Sequence, residues 1–334
     1  MAFTVWGAFD AFRKTEVDID PGITKIARSS RDFLVQQLLS VSRTTTSFPT
    51  FTGKYQHFGS FARRTKIRPL NDIDLMIELN GAGTREHQTS TFNKYWLRMD
   101  DKTKPLAGFL DDYGYVNSTR VLNKISNSLG SISQYSKAEI RKTKQAITLN
   151  LKSYDWVFDI VPAIAVANAD GGTTHYLIPD GSGEWIRTDP RVDSKNMTNA
   201  NVQHGGNLLP VMRLLKYWNN RVGTKSRLPS YYFETLVLNT FQYVQSISSL
   251  QEGIKYFLNA GVFYLDISCA DPKGLGSALD ANITGDVKQK VANVMRQAAT
   301  NASYAIMYEK NDDHKTAIYW WTQVFGSRFP SYGY

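Results

Sequence analysis

Phe58-Gly-Ser-Phe-Ala-Arg-Arg-Thr-Lys-Ile-Arg-Pro-Leu-Asn-Asp-Ile-Asp-Leu-Met-Ile-Glu-Leu79 is the stretch that decides the fold. It holds a Gly-Ser pair, Gly59 and Ser60, and twelve residues after Ser60 the first of two acids, Asp72 and Asp74. Ile73, Leu75 and Ile77 alternate with those acids, which predicts a strand over 72–79 with both carboxylates on one face. Two like charges side by side in an apolar strand repel each other and are costly to desolvate. A divalent cation resolves both problems, and oxygen-only ligands select a hard ion such as Mg²⁺. A Gly-Ser turn just upstream offers backbone N–H groups and a hydroxyl to a phosphate chain. The combination reads as a metal-dependent nucleotidyl-transfer site.

A third acid is needed to hold two ions. Asp159 fits best, because Val157, Phe158, Ile160 and Val161 surround it with the pattern of a buried central strand. Asp155 competes but sits beside Tyr154 at the strand's beginning, where it reads as a turn residue. Glu78 has the parity of Asp72 and Asp74 but lies four residues beyond Asp74, past the expected metal.

The chain has 334 residues, enough for two lobes, and 42% of them are hydrophobic, enough for a packed core. No apolar run is long enough to span a bilayer, and the N-terminus does not read as a secretory signal. The single cysteine, Cys269, rules out a disulfide framework and a cysteine-based zinc site within one chain. A cytoplasmic location is the resulting expectation. The net charge of +9 suits a polyanionic nucleotide and equally suits a nucleic acid. Arg63, Arg64, Lys66 and Arg68 form the one dense basic cluster, and read as flanking substrate phosphates, tracking a polynucleotide, or a plain solvated loop.

Helical periodicity covers 22–42 and a helix is expected near 117–128. Residues 80–115 read as mixed loop. Strands are expected at about 144–151 and 154–161, joined tightly at Lys152-Ser153, and at 174–178 and 184–187 around an Asp180-Gly-Ser-Gly turn. Beyond Thr188-Asp189-Pro190 the pattern is helical. The expected division is therefore a mixed sheet-and-helix lobe at 1–190 and a helical lobe at 191–334. In the latter, Arg213, Lys216 and Asn220 share a helix face. Ser230 follows Pro229 and precedes an apolar helical run, an N-cap signal with free N–H groups for phosphate. Tyr231 beside it is a candidate for stacking on a base.

With these residues in place, the chain resembles the cGAS/DncV-like nucleotidyltransferases, bacterial relatives of animal cyclic GMP-AMP synthase within the DNA polymerase β-like superfamily. The resemblance rests on Gly59-Ser60, Asp72-Ile-Asp74, Asp159, Leu-Leu-Lys-Tyr around Lys216 and Pro-Ser-Tyr around Ser230. It implies an α+β fold: a polymerase β-like sheet with backing helices, a C-terminal helical lobe, and an active site in the cleft between them. It implies catalysis at Asp72, Asp74 and Asp159 with two bound Mg²⁺ or Mn²⁺ ions. It also implies donor-triphosphate contacts from Gly59, Ser60, Lys216 and Ser230, base stacking by Tyr231, and acceptor-side contacts from Arg187 and Thr188. The substrates would be nucleoside triphosphates, and the activator a regulatory protein or a nucleic acid.

The cyclising step, which makes a cyclic di- or trinucleotide messenger, follows from the resemblance alone. So does a role in bacterial anti-phage (CBASS-type) signalling. One Cys and five His cannot build the zinc-bound insertion of the animal DNA sensor. The competing readings are a linear oligonucleotide synthase, a polynucleotide-tailing enzyme and, from another class, a catalytically silent nucleic-acid-binding module.

Overall fold

The computed structural model describes residues 2–223 and 226–333. In chain order its first elements are α1 (Val5–Phe12), α2 (Pro21–Thr44), β1 (Phe51–His57), the one-turn α3 (Gly59–Ala62), β2 (Asp72–Leu79), β3 (Thr84–Gln88), β4 (Tyr95–Met99) and α4 (Ser118–Gly130). Then come β5 (Glu139–Lys142), β6 (Ile147–Asn150), β7 (Val157–Ala167), β8 (Thr173–Pro179), β9 (Trp185–Thr188) and α5 (Pro190–Gln203). The last are α6 (Leu208–Arg221), α7 (Ser230–Phe241), α8 (Leu250–Leu265), α9 (Gly285–Lys310) and α10 (His314–Phe325).

Contacts divide the chain into two units. The sheet unit holds residues 21–62 and 70–193, and the helical unit holds 1–20, 63–69 and 194–334. This differs from a simple cut at 190: the N-terminal twenty residues and a short internal segment group with the helices. The reason lies in α1, whose Val5, Ala8, Phe9 and Phe12 form one buried stripe. Phe9 meets Trp321, Phe325 and Phe329 edge-on at 4.9–5.8 Å. Such aromatic contacts add to the free energy of burial itself. Asp18, just after α1, accepts from Arg13 at 2.7 Å and from Arg213 of α6 at 2.7 Å.

In the sheet unit the described strands form one mixed sheet in the order β1-β2-β7-β8-β9-β4-β3, with β6 also on β7 and β5 beyond it. β2 and β7 run parallel, and the other pairs are antiparallel. β7 is the longest strand because it changes partner midway: residues 157–160 pair with β6 and 164–167 with β8. Pro162 falls in the gap between those partners, where its missing N–H costs no bond on that side. For that reason the strand runs past the end expected at 161. One face of the sheet buries Ile73, Leu75, Ile77, Phe158 and Ile160. Helix α2 packs on β1, and α4 packs on β5, β6 and β8. The polar strands β3 and β5 have few apolar positions, so neither appeared in the sequence pattern; β4 alternates buried Tyr95, Leu97 and Met99 with outward residues, but lies in the stretch that read as mixed loop.

Ile160 is fully buried and paired with Leu75 and Ile147, while its neighbour Asp159 faces the other way. Ile160→Ala should therefore cost about 2–5 kcal/mol in urea unfolding. Asp159→Asn, which keeps volume and a hydrogen-bond acceptor, should cost under about 1 kcal/mol. Equal losses from the two changes would contradict the assignment of faces.

Candidate active site

The parallel register sets Asp74 beside Asp159, with Asp72 opposite Val157. Paired residues on adjacent strands share a face at a strand spacing of about 4.8 Å. Asp72, Asp74 and Asp159 thus lie together on the face opposite the helix-backed core, and all three are half-buried. Thr148, paired with Asp159 across β6, donates from Oγ1 to Asp159 Oδ1 at 2.5 Å. Asp155, by contrast, sits exposed in the turn before β7.

Gly59 opens α3 directly against Asp74. Its φ is +69°, and a Cβ placed on it would lie 1.7 Å from Asp74 Oδ2. Both facts admit only glycine here. Phe58, one residue earlier, packs on a small apolar cluster of Met76, Ala146, Val161, Ala163, Tyr176 and Ile178 that shares the carboxylate face. The Gly-Ser turn is therefore anchored on the acids' own face, and Ser60 follows as the second residue of α3.

The donor set, carboxylates without sulfur or imidazole, suits a hard divalent cation. Among the described residues no three His, Cys, Asp or Glu side chains converge on one ion in this conformation. Asp159 turns one oxygen to Thr148 and Asp74 turns towards Gly59, so ligation would require side-chain rotation on a backbone already in register.

The other predicted residues fall in two places. In the sheet unit, Tyr176 pairs with Thr188 and Leu177 with Arg187. Ala165, on the carboxylate face, pairs with Tyr176. Register therefore puts Thr188 on the carboxylate face and Arg187 on the opposite one. Arg187 is held there by Glu86 in two hydrogen bonds at 2.8 and 3.1 Å and lies 4.2 Å from the Tyr95 ring centre. Burial alone would raise the Glu86 carboxyl, but Arg187 and His175 hold it below its usual value.

In the helical unit, Lys216 is buried rather than solvated, with 6% of its surface exposed. Its Nζ is 2.5 Å from Glu234 Oε1, and Arg63 donates to Glu234 Oε2 at 2.9 Å. Burial pushes the Lys216 ammonium down, against the pull of Glu234. Burial likewise pushes Glu234 up, but Arg63 and Lys216 outweigh it and keep the carboxyl below the usual range. Glu234 stands one turn after Ser230 and Tyr231 on α7, so two cations against one anion leave a positive charge near that helix start.

Ser230 is exposed and is the first helical residue, not the cap. Pro229 occupies the capping position, and its carbonyl accepts from Phe233 N at 2.9 Å. Tyr231 is half-buried, with Arg63 5.7 Å and Lys273 4.3 Å from its ring centre. Two side chains of the basic cluster, Arg63 and Arg68, have structural partners. Besides Arg63, Arg68 donates to the Lys14 and Asp18 carbonyls, and Arg64 O accepts from Arg213.

The chain is 40% identical to a probable cyclic nucleotide synthase of Bacillus cereus strain VD146, over 99% of both chains. The chain belongs to the cyclic nucleotide synthases. These are cGAS/DncV-like nucleotidyltransferases, and the synthase is accordingly a nucleotidyltransferase enzyme. Residues 106–201 match the Second Messenger Oligonucleotide or Dinucleotide Synthetase domain, which includes Asp159. The fold matches that of Escherichia coli MS115-1 CdnC solved with ATP: TM-score 0.69, 16% identity, 97% of this chain and 98% of that one. CdnC has also been solved with HORMA-deltaN. Vibrio cholerae DncV, a cyclic AMP-GMP synthase solved with a linear intermediate, matches at TM-score 0.69 and 12% identity over 99% of this chain and 98% of that one.

Sequence reading of the synthase missed Thr148 and Glu234. Thr148 follows only once the β6–β7 register is known. Glu234 did carry a signal, a lone acid inside the apolar run Tyr-Tyr-Phe-Glu-Thr-Leu-Val-Leu, which demands a buried cation.

Gly59→Ala should leave the synthase folded but lower kcat/KM by about a hundredfold or more, because it displaces Asp74; near-normal rates in a steady-state assay would contradict the packing. Glu234→Gln should cost about 3–5 kcal/mol by leaving buried cations unneutralised. Because the Glu234 pKa is depressed on folding, its contribution is complete above the unfolded value near 4.5 and is lost as pH falls through the folded value. Wild-type melting temperature should therefore hold down to about pH 5 and fall below it, and the variant should show a shallower acid limb. An unchanged acid limb in Glu234→Gln would remove Glu234 from the account.

Proposed function

We propose that this synthase uses Asp72, Asp74 and Asp159 with two divalent ions, Mg²⁺ or Mn²⁺, to join nucleoside triphosphates into a cyclic di- or trinucleotide. The observation that carries the reading is the Asp74–Asp159 pair on adjacent parallel strands, with Asp72 on the same face and Gly59 against Asp74. Bound there, such ions neutralise phosphate charge and lower the pKa of an acceptor hydroxyl. Thr148 holds Asp159 in the resting arrangement; rotated to ligate, the Asp159 carboxylate is the proposed group that orients the acceptor ribose hydroxyl and takes its proton. The hydroxyl oxygen forms a bond to the donor α-phosphorus in line, the bond from that phosphorus to the β-bridging oxygen breaks, and pyrophosphate leaves. A further transfer within the linear intermediate, the second for a dinucleotide and the third for a trinucleotide, closes the ring and releases another pyrophosphate.

Gly59 and Ser60 offer backbone N–H groups and a hydroxyl to the donor phosphates. From the helical unit, Lys216 and Ser230 are the proposed triphosphate contacts and Tyr231 the base platform, with Glu234 holding Lys216 extended. Thr188 is the proposed acceptor-side contact. Arg187, engaged by Glu86 on the other face, is assigned a structural role. The complex of CdnC with HORMA-deltaN is a precedent for a protein partner, in line with a regulatory protein as the proposed activator; a messenger role in anti-phage (CBASS-type) signalling is proposed on the family resemblance alone.

The test is product analysis with all four labelled triphosphates, followed by phosphatase and nuclease digestion. A phosphatase-resistant, nuclease-sensitive product is expected, since only a ring lacks a terminal phosphate. A phosphatase-labile product would favour a linear synthase. Asp72→Asn with Asp74→Asn should abolish product while leaving metal-free melting temperature equal or higher, because the change relieves like-charge repulsion at constant volume. Turnover at the wild-type rate in that double variant would sink the assignment.

A further inference from the structure

α8 and α9 are joined by a segment containing Asp271-Pro-Lys-Gly-Leu-Gly276. Its first four residues have turn chemistry, with an acid first, proline second and glycine fourth. Gly274 N donates to Asp271 O at 2.8 Å, with Gly274 at φ +66°. The Asp271 side chain closes the turn from inside. It is buried and accepts from Lys273 N at 3.3 Å and from Lys273 Nζ at 2.7 Å. The chain then passes close by, so that a Cβ on Gly276 would lie 3.1 Å from Asp271 Oδ2. A solvent-facing connection has no need to bury an aspartate or to immobilise a lysine, whose side chain here is only 14% exposed.

What this turn delivers is the Lys273 ammonium to Tyr231. Nζ donates to the Tyr231 hydroxyl at 2.5 Å, and that hydroxyl in turn lies 3.4 Å from Asp271 Oδ1 as donor. The aromatic ring is flanked by Arg63, which is itself fixed by Glu234. Tyr231 is thus held at its hydroxyl and beside its ring, and its two χ angles are set before any ligand arrives.

We propose that Lys273, held by Asp271, is a positioning residue that locks the Tyr231 ring in the orientation that stacks on a nucleobase, and so sets nucleotide affinity rather than turnover. The inference rests on Tyr231 being the base platform. It carries a consequence that stacking alone does not: the hydroxyl matters, because it is the handle by which the ring is held. Tyr231→Phe keeps the π-face and loses the handle.

The experiment measures initial rates against triphosphate concentration, and melting temperatures, for wild type, Lys273→Ala, Lys273→Arg, Tyr231→Phe and the Lys273→Ala/Tyr231→Phe double variant. Lys273→Ala and Tyr231→Phe should each raise KM about three- to tenfold, the net value of one ordinary hydrogen bond. Turnover should stay within about twofold of wild type. The double variant should be no worse than either single one, and Lys273→Arg should recover most of the affinity. Unchanged KM for every accepted triphosphate, single effects that multiply in the double variant, or a lowered melting temperature with normal KM would each overturn the proposal.

Calorimetric titration with a non-hydrolysable ATP analogue separates this inference from the reading beneath it. If the wild-type product proves linear yet both single variants still weaken the analogue equally, the Lys273 role stands and the cyclic assignment falls. If wild type and Lys273→Ala bind the analogue equally, the Lys273 role alone falls.

Discussion

The parallel pairing of β2 with β7 is the constraint on which the rest of the site depends. Side chains alternate with a period of two along each strand, so one residue of slip would carry Asp159 from the open face into the apolar back of the sheet. There it would replace the fully buried Phe158 or Ile160, and an ionised carboxylate in that setting is far more expensive than any alternative pairing could repay. Hydrophobic burial on one face therefore fixes the register, and the register brings Asp74 beside Asp159. The chemistry is placed by residues that take no part in it. The same logic applies to Gly59, where the approach to Asp74 leaves no room for a side chain.

The helical unit solves a different problem, the confinement of positive charge. Lys216 and Arg63 share one buried acid, Glu234, and beside Tyr231 Lys273 is held by the buried Asp271. A buried ion pair is weak support for stability, since desolvation offsets most of the attraction. Its use is orientation. Flexible lysines that would otherwise sample many rotamers are each held in one, near the exposed start of α7, where Ser230 and Tyr231 stand. The net charge of +9 is thus partly spent inside the protein, and two members of the basic cluster at 63–68 are bonded internally, Arg63 to Glu234 and Arg68 to neighbouring backbone.

Much of the sheet's centre was legible from residue pattern. The acids of β2 and the lone acid of β7 stand in apolar alternation strong enough to give both strand and face, and α4 carries a clear apolar stripe; the looser stripe of α2 gave the helix but not its face, since Ala27, Leu34, Val35 and Leu38 are buried while Ile23, Ile26 and Phe33 are exposed. Legibility fails where burial is weak or the partner is distant in sequence. β3 and β5 are polar edge strands with no periodic signal. The stripe on α1 was visible in principle, but nothing in it names α10 as its partner. Arg187 has the residue type of a nucleotide contact, and only the pairing across β8 shows that it points away from the acids. For Ser230, the preceding proline takes the capping position that the sequence pattern offered to the serine.

The central claim is that one face of this sheet holds divalent ions through Asp72, Asp74 and Asp159. Its most direct test is titration of Mn²⁺ followed by electron paramagnetic resonance, with a non-hydrolysable triphosphate present, on the wild type and on Asp159→Asn. The account predicts tight Mn²⁺ sites in the wild type and a clear loss of bound Mn²⁺ in the variant while the protein stays folded. Binding of equal stoichiometry and affinity in both proteins would contradict it.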